Sequence, residues 1–146
     1  MDILFINPNS SAKAYQDLAR TYSAIEPPTW ALLLAQACRS KRFEVAILDC
    51  DAERLSMETS LERIEEIRPR LVCFAVYGQN PNSGTTSMIG ATALAAYVRE
   101  NSSQYPICFV GSHTSALPRQ VLTYPFVDFV LFIEGVNMSY HQFQLI

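Results

Sequence analysis

Leu71-Val72-Cys73-Phe74-Ala75-Val76 is an unbroken apolar run, and the residues after it change character at once. Tyr77-Gly78-Gln79-Asn80-Pro81-Asn82-Ser83-Gly84 is polar, with two glycines and one proline. A short apolar run without polar alternation suits a strand covered on both faces, as in a parallel sheet between helices. The polar segment has no apolar face to bury, but it offers amides, hydroxyls and backbone N–H groups to a ligand. Thr85 to Glu100 then reads as an Ala-rich helix. Open α/β sheets place their ligand sites where a buried strand passes through a polar loop into a helix.

The rest of the chain repeats this unit. Ile3 to Ile6 is a first strand, and Asn7-Pro8-Asn9-Ser10-Ser11 is a cluster of turn formers. Ala12 to Ile25 reads equally as a short helix or an ordered loop, with Tyr15 and Tyr22 either packing or facing a ligand. Pro27-Pro28 opens a helix, where a proline's missing N–H costs nothing. Trp30 and Leu32-Leu33-Leu34 in that helix are expected in the core. Glu44 to Asp49 is the second strand, leaving through Asp49-Cys50-Asp51-Ala52-Glu53. Met57, Leu61, Ile64 and Ile67 then recur at the helical period up to Pro69. Pro106 to Val110 is the fourth strand, followed by Gly111-Ser112-His113-Thr114 and a short helix over Ser115 to Leu122. Val127 to Phe132 is the fifth, followed by Glu134-Gly135 and by Val136 to Ile146, the start of a last helix.

Five strand–helix units joined by short connections predict a parallel sheet with right-handed crossovers. The expected fold is α/β, a flavodoxin-like (Rossmann-like) doubly wound sheet of five parallel strands in the order 2-1-3-4-5. The 146 residues make one domain, 1–146. In that order the third strand is central, and its exit lies beside the switch point near the end of the first.

Charge and cysteine usage narrow the function. A net charge of −3, with no Lys/Arg cluster beyond Arg39-Ser40-Lys41-Arg42 at an expected helix end, argues against a nucleic-acid partner. The amino terminus, with Asp2 and a very short apolar run, is neither a signal peptide nor a membrane span. Cys38, Cys50, Cys73 and Cys108 have no metal-ligand spacing, which implies a reducing, cytoplasmic setting. Cys73 and Cys108 are expected as buried small hydrophobes, and Cys50 as inert.

No nucleophile elbow, P-loop or dinucleotide fingerprint is present. Val76-Tyr77 stands where a phosphate-accepting receiver domain needs an aspartate. What the strand ends share is a polar, small, Gly-rich set: Asn7, Asp49, Tyr77, Gly78, Gln79, Asn80, Ser83, Gly111, Ser112, His113, Thr114, Glu134 and Gly135. In a parallel sheet these emerge on one edge, suited to a large ligand rich in amide and phosphate groups. Each has a plainer reading beside the functional one. His113 contacts the ligand or bonds neighbouring backbone; Asp49 bonds the ligand or caps a turn. Tyr77 serves the site or only packs; the glycines serve turns; Glu134-Gly135 starts a helix.

Five segments in order carry a resemblance over nearly the whole chain. They are FINPN, IEPPTWALLLAQACRSKRFEVAILD, VYGQNPNSGTTSMIGA, FVGSHTSALPRQVL and VDFVLFIEG. Together they resemble the cobalamin-binding domain at the amino terminus of cobalamin-dependent radical S-adenosylmethionine enzymes. The resemblance implies a corrin lying across the carboxyl ends of the strands. Tyr77 to Ser83 would lie under the cobalt, Gly111 to Thr114 along the nucleotide tail and Glu134-Gly135 at the rim. Corrinoid proteins that bind cobalt through a histidine carry Asp-x-His-x-x-Gly; Asp51-Ala52-Glu53-Arg54-Leu55-Ser56 lacks both the His and the Gly. The implied cobalamin is therefore base-off and His-off, with no residue of this chain as metal ligand. The family's usual Gly-Gly after the fourth strand is Gly111-Ser112 here, and Phe132-Ile133 replaces the usual small residue before Glu134.

No cysteine triplet is spaced C-x-x-x-C-x-x-C. The iron–sulfur cluster and S-adenosylmethionine are accordingly expected only in a separate radical barrel domain, a partner in cis or in trans. In the family that pairing often serves methyl transfer, so no catalysis is expected from this chain alone. The alternative from another class is a degenerate flavodoxin-like module that has lost its ligand and works as an interaction domain. A small hydrolase would rest only on Ser112 and His113.

Overall fold

β3 (Leu71–Val76) forms over the whole apolar run and is buried from Val72 onward. The computed structural model describes residues 1–9, 27–77, 81–102 and 104–131, and only the backbone over 81–86. In chain order the described elements are β1 (Ile3–Asn7), α1 (Thr29–Ser40), β2 (Val45–Asp49), α2 (Met57–Ile67), β3, α3 (Pro81–Asn101), β4 (Ile107–Gly111), α4 (Ser112–Ala116), α5 (Pro118–Val121) and β5 (Phe129–Leu131). The sheet order is β2-β1-β3-β4-β5. Every neighbouring pair is parallel, in the order the alternation predicts.

The register sorts the strand residues into two layers. Leu4, Ile6, Val72, Phe74, Ile107 and Phe109 face α2, α3 and α5, meeting Leu61, Ile64, Leu94, Val98 and Val121. Phe74 and Phe109 stack there at 5.1 Å between ring centroids. Phe5, Cys73, Ala75, Cys108 and Val110 face the other side, against Ala31, Leu34, Ala35 and Cys38 of α1. Helices on both faces explain why β3 reads as a continuous apolar run.

Several boundaries differ from expectation. α3 begins at Pro81, not Thr85, so Pro81 to Gly84, the second half of the polar segment after β3, is the first turn of a helix. Proline suits that turn because its fixed φ is helical and its missing N–H has no partner to lose. The single helix expected over Ser115 to Leu122 is two short ones. The break is at Leu117 (φ −130°, ψ 51°), where the ring of Pro118 disfavours helical backbone in the residue before it. β5 (Phe129–Leu131) begins two residues later than read, since Val127 closes a turn onto Tyr124 and the Asp128 carboxylate accepts the Ile107 N–H at 2.7 Å. β2 starts at Val45 and β4 runs Ile107–Gly111, one residue later than read at the start of each.

The core assignment for α1 also changes. Trp30, Leu32 and Leu33 are 39%, 51% and 45% exposed, while Leu34 is buried. The helix buries Ala31, Leu34, Ala35 and Cys38, spaced i, i+3, i+4, i+7, and that phase turns its larger apolar neighbours outward. The segments Ala12 to Ile25, Phe132-Ile133 and Val136 to Ile146 lie outside the described residues.

Candidate functional site at the carboxyl edge of the sheet

The carboxyl ends of β1, β2, β3 and β4 bring Asn7, Asp49, Tyr77 and Gly111 to one edge. Asn7 and Asp49 are register partners. The Asn7 amide donates to Asp49 Oδ1 at 2.8 Å, and the same oxygen accepts the Ala52 N–H at 3.1 Å. The Cys50 N–H donates to the Asn7 carbonyl at 3.0 Å. Asp49 thus caps the turn and ties the exit of β2 to that of β1.

Tyr77 leaves β3 half-buried and packs against the α1 side of the core. Its ring stacks on the indole of Trp30, with centroids 4.6 Å apart and planes 16° apart. Such offset aromatic pairs add about 0.5–1.5 kcal/mol beyond the area they bury. Burial holds the Tyr77 phenol above the ordinary tyrosine pKa, and the neighbouring Cys73 acts in the same direction. The phenol is thus a neutral donor at physiological pH. Ser87 Oγ of α3 reaches the Tyr77 carbonyl at 3.5 Å, tying the helix to the strand exit.

Gly111 ends β4 with φ 155°. A Cβ at this position would fall inside the van der Waals surface of the Val76 carbonyl oxygen. Only glycine lets the two strand ends approach this closely. Immediately after it the chain turns into α4, and here three hydroxyl oxygens are buried without a hydrogen-bond partner: those of Ser112, Thr114 and Ser115. Thr114 as a whole is 0% exposed. A buried hydroxyl left unpaired costs about 1–3 kcal/mol, and three fall within this one turn. His113, beside them, is partly exposed, and its carbonyl accepts the Leu117 N–H at 3.0 Å.

The structure brings together Asn7, Asp49, Tyr77, Gly111, Ser112, His113 and Thr114 along this edge. Gly78, Gln79, Asn80, Glu134, Gly135 and the side chain of Ser83 lie outside the described residues. Sequence reasoning expected Trp30 in the core and did not single out Ser115. The phase of Ala31, Leu34, Ala35 and Cys38 was the signal that removes Trp30 from the core. Nothing in the sequence marks Ser115, whose interest lies in being buried and unpaired.

Where a histidine-ligating corrinoid protein has its Asp-x-His-x-x-Gly, Glu53 stands exposed in the His position. Ser56, in the Gly position, caps α2 by accepting the Thr59 N–H at 3.2 Å. Among the described residues no group of three or more His, Cys, Asp or Glu is placed to hold a metal ion. No helix among them is long and apolar enough to cross a membrane.

Fold and edge define an open α/β ligand-binding domain with its site at a topological switch point. The B12-binding domain model matches residues 15–141, and the chain belongs to that family. No curated protein sequence matches it. Among solved structures the fold is shared with TsrM, a radical S-adenosylmethionine methyltransferase from Kitasatospora setae solved with tryptophan and a SAM analogue. The likeness has a TM-score of 0.62 at 20% identity, covering 88% of this chain. This chain spans 22% of that protein's length.

The residues at the edge fit cobalamin by their chemistry. Gly111 makes room for the Val76 carbonyl, which fixes how the exits of β3 and β4 meet, and the Ser112, Thr114 and Ser115 hydroxyls are of the kind that bonds amide, ribose and phosphate oxygens.

Proposed function

We propose that the chain binds cobalamin base-off and His-off at this edge and presents it to a radical S-adenosylmethionine catalytic domain, in cis or in trans, for methyl transfer. The observation that carries the reading is the trio of buried hydroxyls, without a hydrogen-bond partner among the described residues, next to a glycine whose added Cβ would meet the Val76 carbonyl. Ser112, Thr114 and Ser115 would bond the nucleotide tail, Gly111 would admit it, and Tyr77 would border the corrin. The exposed Glu53 and the capping role of Ser56 support the His-off mode, since that loop is committed to starting a helix. When bound, cobalamin supplies group-transfer chemistry at cobalt; the protein's part is to hold it, to exclude its own tail base from the metal and to leave one face open. The partner domain is supported by the 22% coverage of the methyltransferase, whose remaining length carries the rest of that enzyme.

An absorbance titration with hydroxocobalamin and methylcobalamin tests this directly. A saturable base-off spectrum is expected. No spectral change up to high ligand concentration sinks the reading and leaves an interaction module without a ligand. Thr114→Val sharpens the test because it removes a fully buried hydroxyl and keeps the shape. The free protein is expected to gain about 1 kcal/mol or more in urea unfolding, since an unpaired group is removed. Hydroxocobalamin affinity is expected to fall about tenfold. A variant that loses stability and keeps affinity would show that Thr114 serves the fold.

A further inference from the structure

We infer that Trp30 is a ligand-contact residue, forming with Tyr77 a two-ring aromatic wall at the carboxyl edge against which the corrinoid lies. The inference rests on the cobalamin reading and adds to it a residue outside the strand-end set. Trp30 sits in the first turn of α1. In a right-handed crossover that turn lies at the carboxyl ends of the strands. One face of its indole is committed to Tyr77, and the residue is still 39% exposed. α1 has small buried residues under it, Ala31, Ala35 and Cys38, so the indole is not needed to fill the sheet–helix interface. An indole placed half in and half out of the protein beside a ligand site is better explained by contact with that ligand than by packing.

The wall is uncharged, because the Tyr77 phenol is held in its protonated form by burial. It offers an apolar, polarisable surface and two hydrogen-bond donors, the indole N–H and the phenol O–H. A corrinoid has the matching surface, an apolar macrocycle edge fringed by amide carbonyls.

Trp30 is the one tryptophan of the chain, which makes it addressable. The free protein and the protein saturated with hydroxocobalamin would be treated with 2-hydroxy-5-nitrobenzyl bromide, which alkylates accessible indole, and the adduct counted by mass spectrometry. Labelling of Trp30 is expected to drop severalfold on loading. Equal labelling of both, with binding verified by the base-off spectrum, overturns the inference and leaves the cobalamin reading standing. Absence of binding by the unmodified chain overturns both.

Affinity gives the second arm. Trp30→Ala is expected to weaken hydroxocobalamin binding about tenfold and Trp30→Phe about threefold or less. Phe43→Ala removes an exposed aromatic residue just before β2, at the opposite edge, and is expected to leave affinity unchanged. If Trp30→Ala binds as tightly as the parent, the inference fails. If Trp30→Ala unfolds, the labelling result and Trp30→Phe still decide.

Discussion

Gly111 and Val76 meet where β3 and β4 end, and the glycine's missing side chain sets how close they come. Adding one methyl group tests this. Gly111→Ala forces the Val76 carbonyl aside and is expected to cost about 1–3 kcal/mol in urea unfolding. It should weaken hydroxocobalamin binding as well, because the displaced carbonyl lies at the mouth of the site. An unchanged unfolding midpoint would show that the strand ends have room to relax. Close by, Asp49 has one carboxylate oxygen committed to two donors, and so shapes the loop. Thr114 is the converse, a hydroxyl with no hydrogen-bond partner among the described residues.

At the scale of elements, each helix is placed by its apolar stripe and its ends. α2 has Ser56 as a capping residue, Glu58 in its first turn and Arg68 in left-handed conformation at its end. Ser56→Ala removes the side-chain acceptor for the Thr59 N–H and is expected to cost about 1 kcal/mol in urea unfolding. α2 packs on the face of the sheet opposite α1. The same variant should therefore leave hydroxocobalamin affinity unaltered, and a loss of affinity would mean that the loop from Asp51 to Ser56 touches the ligand. α1 shows how phase outranks hydrophobicity. Its buried stripe consists of small residues and Leu34, and its bulkiest side chain stands at the rim.

For the whole molecule, the shifted groups at the alkaline end act in one direction. All four cysteines are free and buried. Burial raises the Cys38 thiol and pushes Cys50 up to about 11. Cys73 lies well above the ordinary thiol range through its contact with Cys108 and its burial. Tyr77 is raised by burial too. Each folded pKa exceeds its unfolded value, about 8.5 for cysteine and about 10 for tyrosine, so the folded state holds the proton more tightly. The stabilisation is complete below the unfolded values and is lost as pH rises through the folded ones. The urea midpoint is therefore expected to fall between roughly pH 8.5 and 11, and Cys50→Ala should flatten the slope. At the acid end, Asp2 is lowered chiefly by the Glu44 N–H and Glu58 by its own N–H, then Ser56. Those exposed groups contribute above the unfolded carboxylate pKa and lose that contribution as pH falls, a small effect in high dielectric. At pH 8 a thiol reagent should modify the four cysteines only on unfolding; one fast thiol in the native protein would contradict their burial.

Strand order and the parallel pairing of the sheet were legible in the sequence, because they follow from local signals. A continuous apolar run, a polar exit and a helical period are properties of neighbouring residues, and short parallel connections leave few topologies. Asn7, Tyr77 and Gly111 to Thr114 could be named for the same reason, as ends of strands. The stack of Tyr77 on Trp30 joins residues far apart in the chain. The unpaired state of the Thr114 hydroxyl depends on what every other segment does not supply. The first turn of α3 belonged to the loop by composition and to the helix by Pro81's backbone. Local patterns thus determined the sheet and where its site must be; which side chains line that site was decided by tertiary packing, since contact and burial are set by the whole chain at once.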